Sequence, residues 1–202
     1  PGEEGSSGHI HFSCWDGQTN AFAGPDAADP VPPAFGAAIA GVLEHLPAAS
    51  LLLNPNVNSY KRLVPGWFAP INATWGYENS SCAVRAIRSD RPDLWRFECR
   101  RPGADANPYL ALAAVTASAV DGMKNKAEPP PPIQGDAYAL ADLPELPGSL
   151  ESAIRAFEGD RALRSALGEG FSAYYTTSRA WELKAWRETV TDWERERYGR
   201  SV

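Results

Sequence analysis

The stretch from residue 94 to residue 100 constrains the fold more than any other part of this chain. Its side chains alternate between two kinds: Trp95, Phe97 and Cys99 share one face, and Arg96, Glu98 and Arg100 share the other. Such alternation is the pattern of a β-strand, because successive side chains point to opposite faces. The sequence therefore predicts a central strand over Leu94–Arg100, with its charged face turned into a polar cavity.

Two further strands are predicted before this one. His9–Cys14 alternates between polar and apolar side chains, and Ser81–Arg88 is a second, more apolar stretch. Residues 17–33 and 127–148 are rich in proline or glycine and predict loops. Asn54–Gly76 carries prolines and glycines among polar residues, which predicts an ordered functional loop rather than a helix.

The helices are predicted mainly in the second half of the chain, after these strands. The predicted helices cover residues 33 to about 46, 108 to about 122, 149 to about 158, 160 to 167, and a long stretch from about 178. The last helix is amphipathic, and its apolar side consists of Trp181, Trp186, Val190 and Trp193. Strands early in the chain and helices later indicate an α+β fold.

Composition excludes several classes of function. The formal net charge is −6 without a basic stripe, which argues against nucleic acid, because phosphate binding needs clustered Lys and Arg. No apolar run approaches the roughly 18 residues of a membrane span, and no signal peptide opens the sequence. Three widely spaced cysteines argue against a disulfide framework. We therefore expect a cytoplasmic protein with neither a nucleic-acid nor a membrane partner.

The charged strand face and two nearby histidines are the first candidates for chemistry. Arg96 and Arg100 suit bidentate contact with phosphate or carboxylate, and Glu98 suits a hard divalent cation. His9 and His11 share one face of a strand, with Cα atoms about 7 Å apart, and fit metal or phosphate contact. Taken alone, each pattern fits equally an exposed polar face or a salt-bridge ladder.

A polar loop and an isolated arginine add further positive charge. Asn58–Arg62 presents Lys61 beside Arg62, as an anionic substrate requires, although a solvated turn has the same composition. Arg85 lies in an apolar strand, so it needs an anionic partner. The combination fits metal-assisted phosphoryl transfer, since no P-loop or dinucleotide fingerprint is present and no nucleophile elbow surrounds Ser13. His45, in an apolar helix, is interpreted as a structural histidine with satisfied hydrogen bonds.

The same segments, in this order, resemble the glutamine synthetase family. Residues 5–13 resemble its GSGxHxHxS strand, and residues 54–66 match its NPxxNSYKRLVPG loop almost letter for letter. Residues 96–110 are similar to its RxExR and ANPYL block. The resemblance implies that residues 1–202 are the C-terminal part of a catalytic domain. It also implies an antiparallel sheet that lines the active site, with helices packed outside.

The resemblance implies a double-metal site and an ATP site. The implied ligands of Mg²⁺ or Mn²⁺ are His9 and Glu98. The implied ATP contacts are His11, Ser13, Arg85 and Arg96, of which the two arginines hold the phosphates. Metal ions and arginines suit phosphoryl transfer, because catalysis there is mostly positioning and electrostatic stabilisation.

The resemblance also implies a glutamate site and a reaction. Gly5 and His9 would contact the glutamate substrate, and Arg62 and Arg100 would act as catalytic residues that hold glutamate and the transferred phosphoryl group. The implied reaction is attack of the glutamate γ-carboxylate on ATP. It gives γ-glutamyl phosphate, which an amine then captures.

Three departures from the family pattern bear on this function. Phe68 stands where ammonia-using members carry a glutamate that binds ammonium, and this resembles the branch that joins glutamate to larger amines. Ser80 replaces a phosphate-facing arginine, and Glu4 replaces an asparagine. The leading prediction is a glutamate–amine ligase, and the alternatives are glutamine synthetase proper, using ammonia, and a non-catalytic relative.

The resemblance extends to segments and subunits beyond these residues. In the family, several metal-binding carboxylates and a β-rich N-terminal domain precede this region, so this chain alone is expected to be inactive. The family assembles into large rings with active sites at subunit interfaces, which implies a homo-oligomer.

Overall fold

A four-stranded sheet forms the centre of the computed structural model, which describes residues 4–24 and 31–199. Its strands, in chain order, are β1 (Ile10–Phe12), β4 (Trp75–Tyr77), β5 (Val84–Ile87) and β6 (Arg96–Cys99), while β2 (Trp15–Asp16) and β3 (Thr19–Asn20) form a separate hairpin. The spatial order is β1-β6-β5-β4. The three strands predicted from the sequence are present, each shorter at its ends.

The sheet is mixed, which differs in one place from the predicted antiparallel arrangement. β6 pairs antiparallel with both β1 and β5, but β4 runs parallel to β5. β4 lies in a segment for which the sequence predicts a loop. It joins the edge of β5 because Val84 N donates to Thr74 O and Glu78 N donates to Ala86 O, so the intervening turn returns the chain in the same direction.

The apolar face of β6 lies in the core, as the alternation predicts. Trp95, Phe97 and Cys99 are at most 2% exposed. The Phe97 ring stacks on Phe12 of β1 at a centroid distance of 5.2 Å, and Phe22 packs beside it at 6.1 Å. The opposite face of the sheet is thereby left for the charged side chains.

Helix α1 (Pro33–Leu53) is longer than predicted, since it continues through Pro47 instead of ending near Leu46. A proline inside a helix costs about 3 kcal/mol, but Leu51, Leu52 and Leu53 are fully buried beyond it, and such burial contributes about 1.5–3 kcal/mol per side chain. By length and composition α1 could span a membrane, yet 89% of its apolar stretch is buried, as in a core helix. Residues 25–30 of the predicted loop before it lie outside the described residues.

Helix α2 (Pro108–Asn125) crosses α1 with backbone against backbone. A Cβ on Gly41 would lie 2.2 Å from Ser118 O, and a Cβ on Gly122 would lie 2.1 Å from Ala37 O, so only glycine fits at this crossing. The Asn107 side chain caps α2 by accepting hydrogen bonds from the first turn, as predicted.

Four helices complete the described chain: α3 (Leu150–Gly159), α4 (Arg161–Leu167), α5 (Glu169–Glu188) and α6 (Asp192–Tyr198). α5 begins nine residues before the predicted start near Ser178 and ends at Glu188, so the predicted long helix is two helices, and Val190 and Trp193 lie beyond α5. The predicted apolar side of this region is not buried: Trp181, Trp186, Val190 and Trp193 are 48–67% exposed. The predicted apolar face is therefore largely exposed, since no other part of the chain that the structure describes covers it.

Candidate active site

The carboxylate of Glu98 is the centre of a charged cluster on the polar face of the sheet. It is 3% exposed and contacts His9 Nδ1 at 2.7 Å, Arg100 Nη1 at 2.9 Å and Arg85 Nη1 at 3.5 Å. His11 Nε2 lies at 4.0 Å. Strand register brings them together, because His11 and Arg85 are the cross-strand partners of Glu98 on its two sides. We call these five residues the Glu98 cluster.

His9 in this cluster is held as a neutral imidazole. Burial lowers its pKa below 6.5, and the positive charge of Arg100 lowers it further, against the opposing effect of Glu98. A neutral ring nitrogen is the form that binds a metal ion. His9 Nε2 also contacts Ser7 Oγ at 3.1 Å.

The donor types in the cluster fit a divalent cation, but they supply only part of a ligand shell. A carboxylate and an imidazole are ligands that Mg²⁺ or Mn²⁺ accepts. Among residues 4–24 and 31–199, no group of three or more His, Cys, Asp or Glu could hold a metal ion. His9 and Glu98 therefore fit as two ligands of a site that needs further ones.

The predicted ATP contacts lie along the same side of the sheet, each with a protein partner. Arg85 forms a close ion pair with Glu78 and a second with Glu98. Arg96 donates from Nε to His11 Nδ1 at 3.1 Å, and Ser13 Oγ accepts from an indole N–H at 3.0 Å. Arg85, Arg96 and His11 thus share the polar face of the sheet. Ser13 follows β1 by one residue.

The second part of the site is a loop that ends in Arg62. Residues 54–62 include a 3-10 helix over Val57–Arg62, and we call them the substrate loop. Arg62 Nη2 donates to Asn54 Oδ1 at 2.7 Å and to Arg101 O. Its buried Nε and Nη1 have no partner within the described chain. A buried cation with two unpartnered nitrogens calls for an anionic partner.

Gly5 packs directly on Arg62, and the two line one cavity. A Cβ on Gly5 would lie 2.6 Å from Arg62 Cβ, so a larger residue would displace the arginine. The cavity measures about 460 Å³, and Ser6, Lys61 and Asp105 contribute to its wall. Its size and positive charge suit a small anionic ligand.

Phe68 stands apart from both groups. It is 61% exposed and has a φ of 54°, in the left-handed region that a non-glycine residue rarely adopts. It follows Gly66, whose φ is 81°. The turn therefore directs a large apolar side chain towards solvent, where the sequence predicted a substrate-binding residue.

Three residues that matter to this geometry were missed in the sequence. Glu78 pairs with Arg85, Asp105 contacts the substrate loop, and Arg101 is 1% exposed beneath it. Burial lowers the pKa of Arg101 to about 10, and its guanidinium donates to the carbonyls of Pro70 and Pro147. Arg101 could have been found from the sequence as a further cation directly after the predicted strand. Glu78 and Asp105 carry no sequence signal beyond their charge.

Taken together, the α+β fold and a polar sheet face with converging arginines form a site suited to anionic ligands. The family model described as glutamine synthetase, catalytic domain, matches residues 1–198. The chain therefore belongs to the glutamine synthetase family, a family of ligases.

Individual relatives agree with this assignment. The glutamine synthetase of Thermus thermophilus is 39% identical over 98% of this chain and 46% of its own length. The gamma-glutamylethanolamide synthetase of Streptomyces coelicolor is 40% identical over 95% of this chain and 40% of its own length. This chain thus spans less than half the length of either relative.

Solved structures show the same fold. GmaS without ligand and GmaS in complex with ADP each match with a TM-score of 0.83 at 33% identity. The match covers 95% of this chain and 44% and 45% of those chains. The predicted α+β class and the family resemblance are confirmed.

Proposed function

We propose that the full-length protein is a ligase that uses ATP and a divalent metal to join the γ-carboxylate of glutamate to an organic amine. Residues 1–202 form part of its catalytic domain. The proposal is supported by the family, by the Glu98 cluster and by the unpartnered nitrogens of Arg62. Two similar proteins support parts of the proposal. GmaS in its ADP complex supports a nucleotide site, and the name of the gamma-glutamylethanolamide synthetase supports an organic amine as the acceptor.

In this proposal the residues have distinct roles. Arg85 and Arg96 hold the phosphates of ATP beside His11 and Ser13. His9 and Glu98 would hold Mg²⁺ or Mn²⁺, which supplies charge neutralisation for the phosphoryl oxygens. Arg85 must exchange its partner Glu78 for a phosphate, an exchange that the exposed position of Glu78 allows.

The glutamate side of the reaction falls to Arg62, Arg100 and Gly5. Nε and Nη1 of Arg62 bind a substrate anion. The backbone of Gly5 contacts the glutamate substrate. A γ-carboxylate oxygen attacks the γ-phosphorus, ADP leaves, and γ-glutamyl phosphate forms. The amine nitrogen then attacks the acyl carbon, phosphate leaves, and the nitrogen loses a proton. The arginines stabilise charge that develops on the phosphoryl oxygens.

The choice of an organic amine over ammonia depends on one observation, the exposed Phe68. A phenyl ring neither binds ammonium nor accepts its proton, but it offers apolar surface to an alkyl chain. Its left-handed backbone at this turn presents the ring to solvent, where an amine could meet it.

We also propose that the protein acts in the cytoplasm as a homo-oligomeric ring. Cys14, Cys82 and Cys99 are free thiols, as expected in a reducing compartment. The exposed tryptophans of α5 and α6 support contacts between subunits.

Phosphate release by the full-length protein with glutamate, ATP and Mg²⁺ tests the proposal. Ammonium, putrescine, spermine and ethanolamine are supplied in turn. We expect turnover with an organic amine and little with ammonium, and Phe68→Glu should shift the preference towards ammonium. Turnover that is equal or faster with ammonium supports glutamine synthetase proper, the name that the Thermus thermophilus relative carries. No turnover with any amine, from assembled protein, would contradict both and favour a non-catalytic relative.

A further inference from the structure

The substrate loop is held on one side by Asp105, which also lies in the wall of the Arg62 cavity. Its Oδ2 accepts a hydrogen bond from Ser59 Oγ at 2.6 Å and another from Asn56 Nδ2 at 3.0 Å. One carboxylate oxygen therefore joins two positions of the loop to the segment between β6 and α2. Hydrogen bonds to a charged acceptor are among the stronger ones in proteins.

The same part of the loop is held on its other side by Arg179 of α5. Arg179 Nη1 donates to Pro55 O at 3.0 Å and to Asn56 Oδ1 at 3.4 Å, while Nη2 donates to Ser178 Oγ at 3.0 Å. Its guanidinium lies 5.6 Å from the Tyr175 ring centroid. The amide of Asn56 is consequently bound at both ends, with Nδ2 on Asp105 and Oδ1 on Arg179.

These contacts add to the few hydrogen bonds within the loop, in which Asn56 N–H donates to Ser59 Oγ and Ser59 N–H donates to Asn56 O. Its 3-10 helix of six residues has poorer hydrogen-bond geometry than an α-helix and depends on its surroundings. Arg62 is the last residue of that helix, and its Nε and Nη1 are the unpartnered buried donors described above. The carboxylate of Asp105 also opposes the lowering of the Arg62 pKa that burial causes.

We propose that Asp105 and Arg179 are positioning residues that fix the substrate loop through Asn56 and so aim Arg62 at the glutamate substrate. The identity of that ligand rests on the proposed function, whereas the clamp itself does not. A clamp of this kind ties the C-terminal helix α5 to substrate binding, although α5 contributes no group to the reaction.

Steady-state kinetics of the full-length protein test the proposal. We expect Asp105→Ala and Arg179→Gln each to raise the KM for glutamate about tenfold, as the loss of a charge-assisted hydrogen bond would. The KM for ATP should change less than about twofold, because the ATP contacts lie on the sheet and not on the loop. Asp105→Asn should raise the KM for glutamate less than Asp105→Ala does, because its amide oxygen can still accept the hydrogen bond from Ser59 Oγ. In the double variant the KM for glutamate should rise by less than the product of the two single fold-changes, because both residues hold Asn56.

Matched controls remove similar charges elsewhere. Arg187→Gln removes an arginine of the same helix that pairs with Glu151 instead of the loop, and Asp192→Asn removes an exposed carboxylate of α6. Both should leave the KM for glutamate unchanged. A glutamate KM that rises equally in the controls, or equal changes for glutamate and ATP, would overturn the proposal.

Hydrogen–deuterium exchange over residues 54–62, measured without substrates, separates the clamp from the reaction. Faster exchange in Asp105→Ala and Arg179→Gln than in the controls supports the clamp even when the wild-type protein turns over no amine. Exchange that matches the wild type refutes it, whichever reaction the protein catalyses.

Discussion

Two histidines of this chain contact carboxylates, and their surroundings are opposite. His45, on α1, is buried between Asp160 at 2.6 Å on Nδ1 and Asp121 at 3.1 Å on Nε2. Both ring nitrogens are used, and the three residues, the His45 cluster, join α1, α2 and the start of α4. His9, in the Glu98 cluster, shares one carboxylate with two arginines.

The charge balance of the two clusters differs accordingly. Hydrogen bonding to Asp160 raises the pKa of His45 to about 9, so the ring is an imidazolium between two acids. Burial and Arg100 lower the pKa of His9, so that ring is neutral. In the Glu98 cluster two arginines share the Glu98 carboxylate, Arg85 also pairs with Glu78, and Arg100 Nε lacks a partner among the described residues.

This difference is the one expected between a structural cluster and the proposed ligand-binding one. A buried group whose donors and acceptors are all satisfied has nothing left to offer a substrate. A buried donor without a partner, such as Arg100 Nε, is costly to maintain without an acceptor, and buried charged groups with perturbed pKa values concentrate at functional sites. The same substitution at each histidine should therefore have opposite consequences.

His9→Asn should lower turnover on the order of a thousandfold, the scale for loss of one preorganised electrostatic group. The free energy of unfolding should change by less than about 1 kcal/mol, because the side chain is 30% exposed. Phosphate release and urea denaturation of the full-length protein measure both quantities. Normal turnover in His9→Asn would remove His9 from the proposed site.

His45→Asn should do the reverse. Removing one partner of a buried charged cluster costs about 3–5 kcal/mol, since Asp121 and Asp160 would face each other without the imidazolium. Turnover per folded molecule should stay near the wild-type value, because His45 contacts neither the sheet face nor the substrate loop. A stable variant with low turnover would contradict the comparison.

The pH dependence of stability should expose the His45 cluster without a mutation. The folded-state pKa of His45 is raised to about 9 from 6.5, so its contribution is fully present below pH 6.5 and is lost as pH rises through 9. Because each tenfold change in proton affinity corresponds to about 1.36 kcal/mol, the loss is about 3 kcal/mol. Urea midpoints between about pH 6 and pH 10 should fall in the wild type, and His45→Asn should flatten that fall. Equal slopes for both proteins would show that other groups cause it.

The sequence was sufficient for the parts of the site that local pattern controls. Alternation over β6 predicted that Glu98 and Arg100 share a polar face. The sequence also predicted an ordered functional loop over Asn54–Gly76 rather than a helix, but Val57–Arg62 forms a 3-10 helix there. His9 lies just before β1, and it reaches Glu98 because the long-range pairing of β1 with β6 places His11 opposite Glu98. The roles assigned to these residues stay predictions.

Other features depended on tertiary packing that no local pattern reports. Pro47 predicted a helix end, but the leucines beyond it are buried and the helix continues. The tryptophan face near Trp181 was predicted as an apolar side, and periodicity could not tell whether it meets this chain or a partner. In the sequence Asp105 is one acidic residue among many. Only the fold brings its carboxylate within hydrogen-bonding distance of Ser59 and Asn56.

The weakest contact of the His45 cluster gives the smallest expected effect. Asp121 is one-third exposed on its side chain, contacts His45 at 3.1 Å and also accepts a hydrogen bond from Asn125. Asp121→Asn keeps the shape and leaves Asp160 as the countercharge, so it should cost about 1 kcal/mol of unfolding free energy. The fall in stability above pH 6.5 should persist but become smaller, because the hydrogen bond to Asp160 is the main cause of the raised pKa. Urea denaturation at about pH 7 and pH 10 measures this. A loss as large as that of His45→Asn would mean that the two carboxylates act as one unit rather than as a strong and a weak partner.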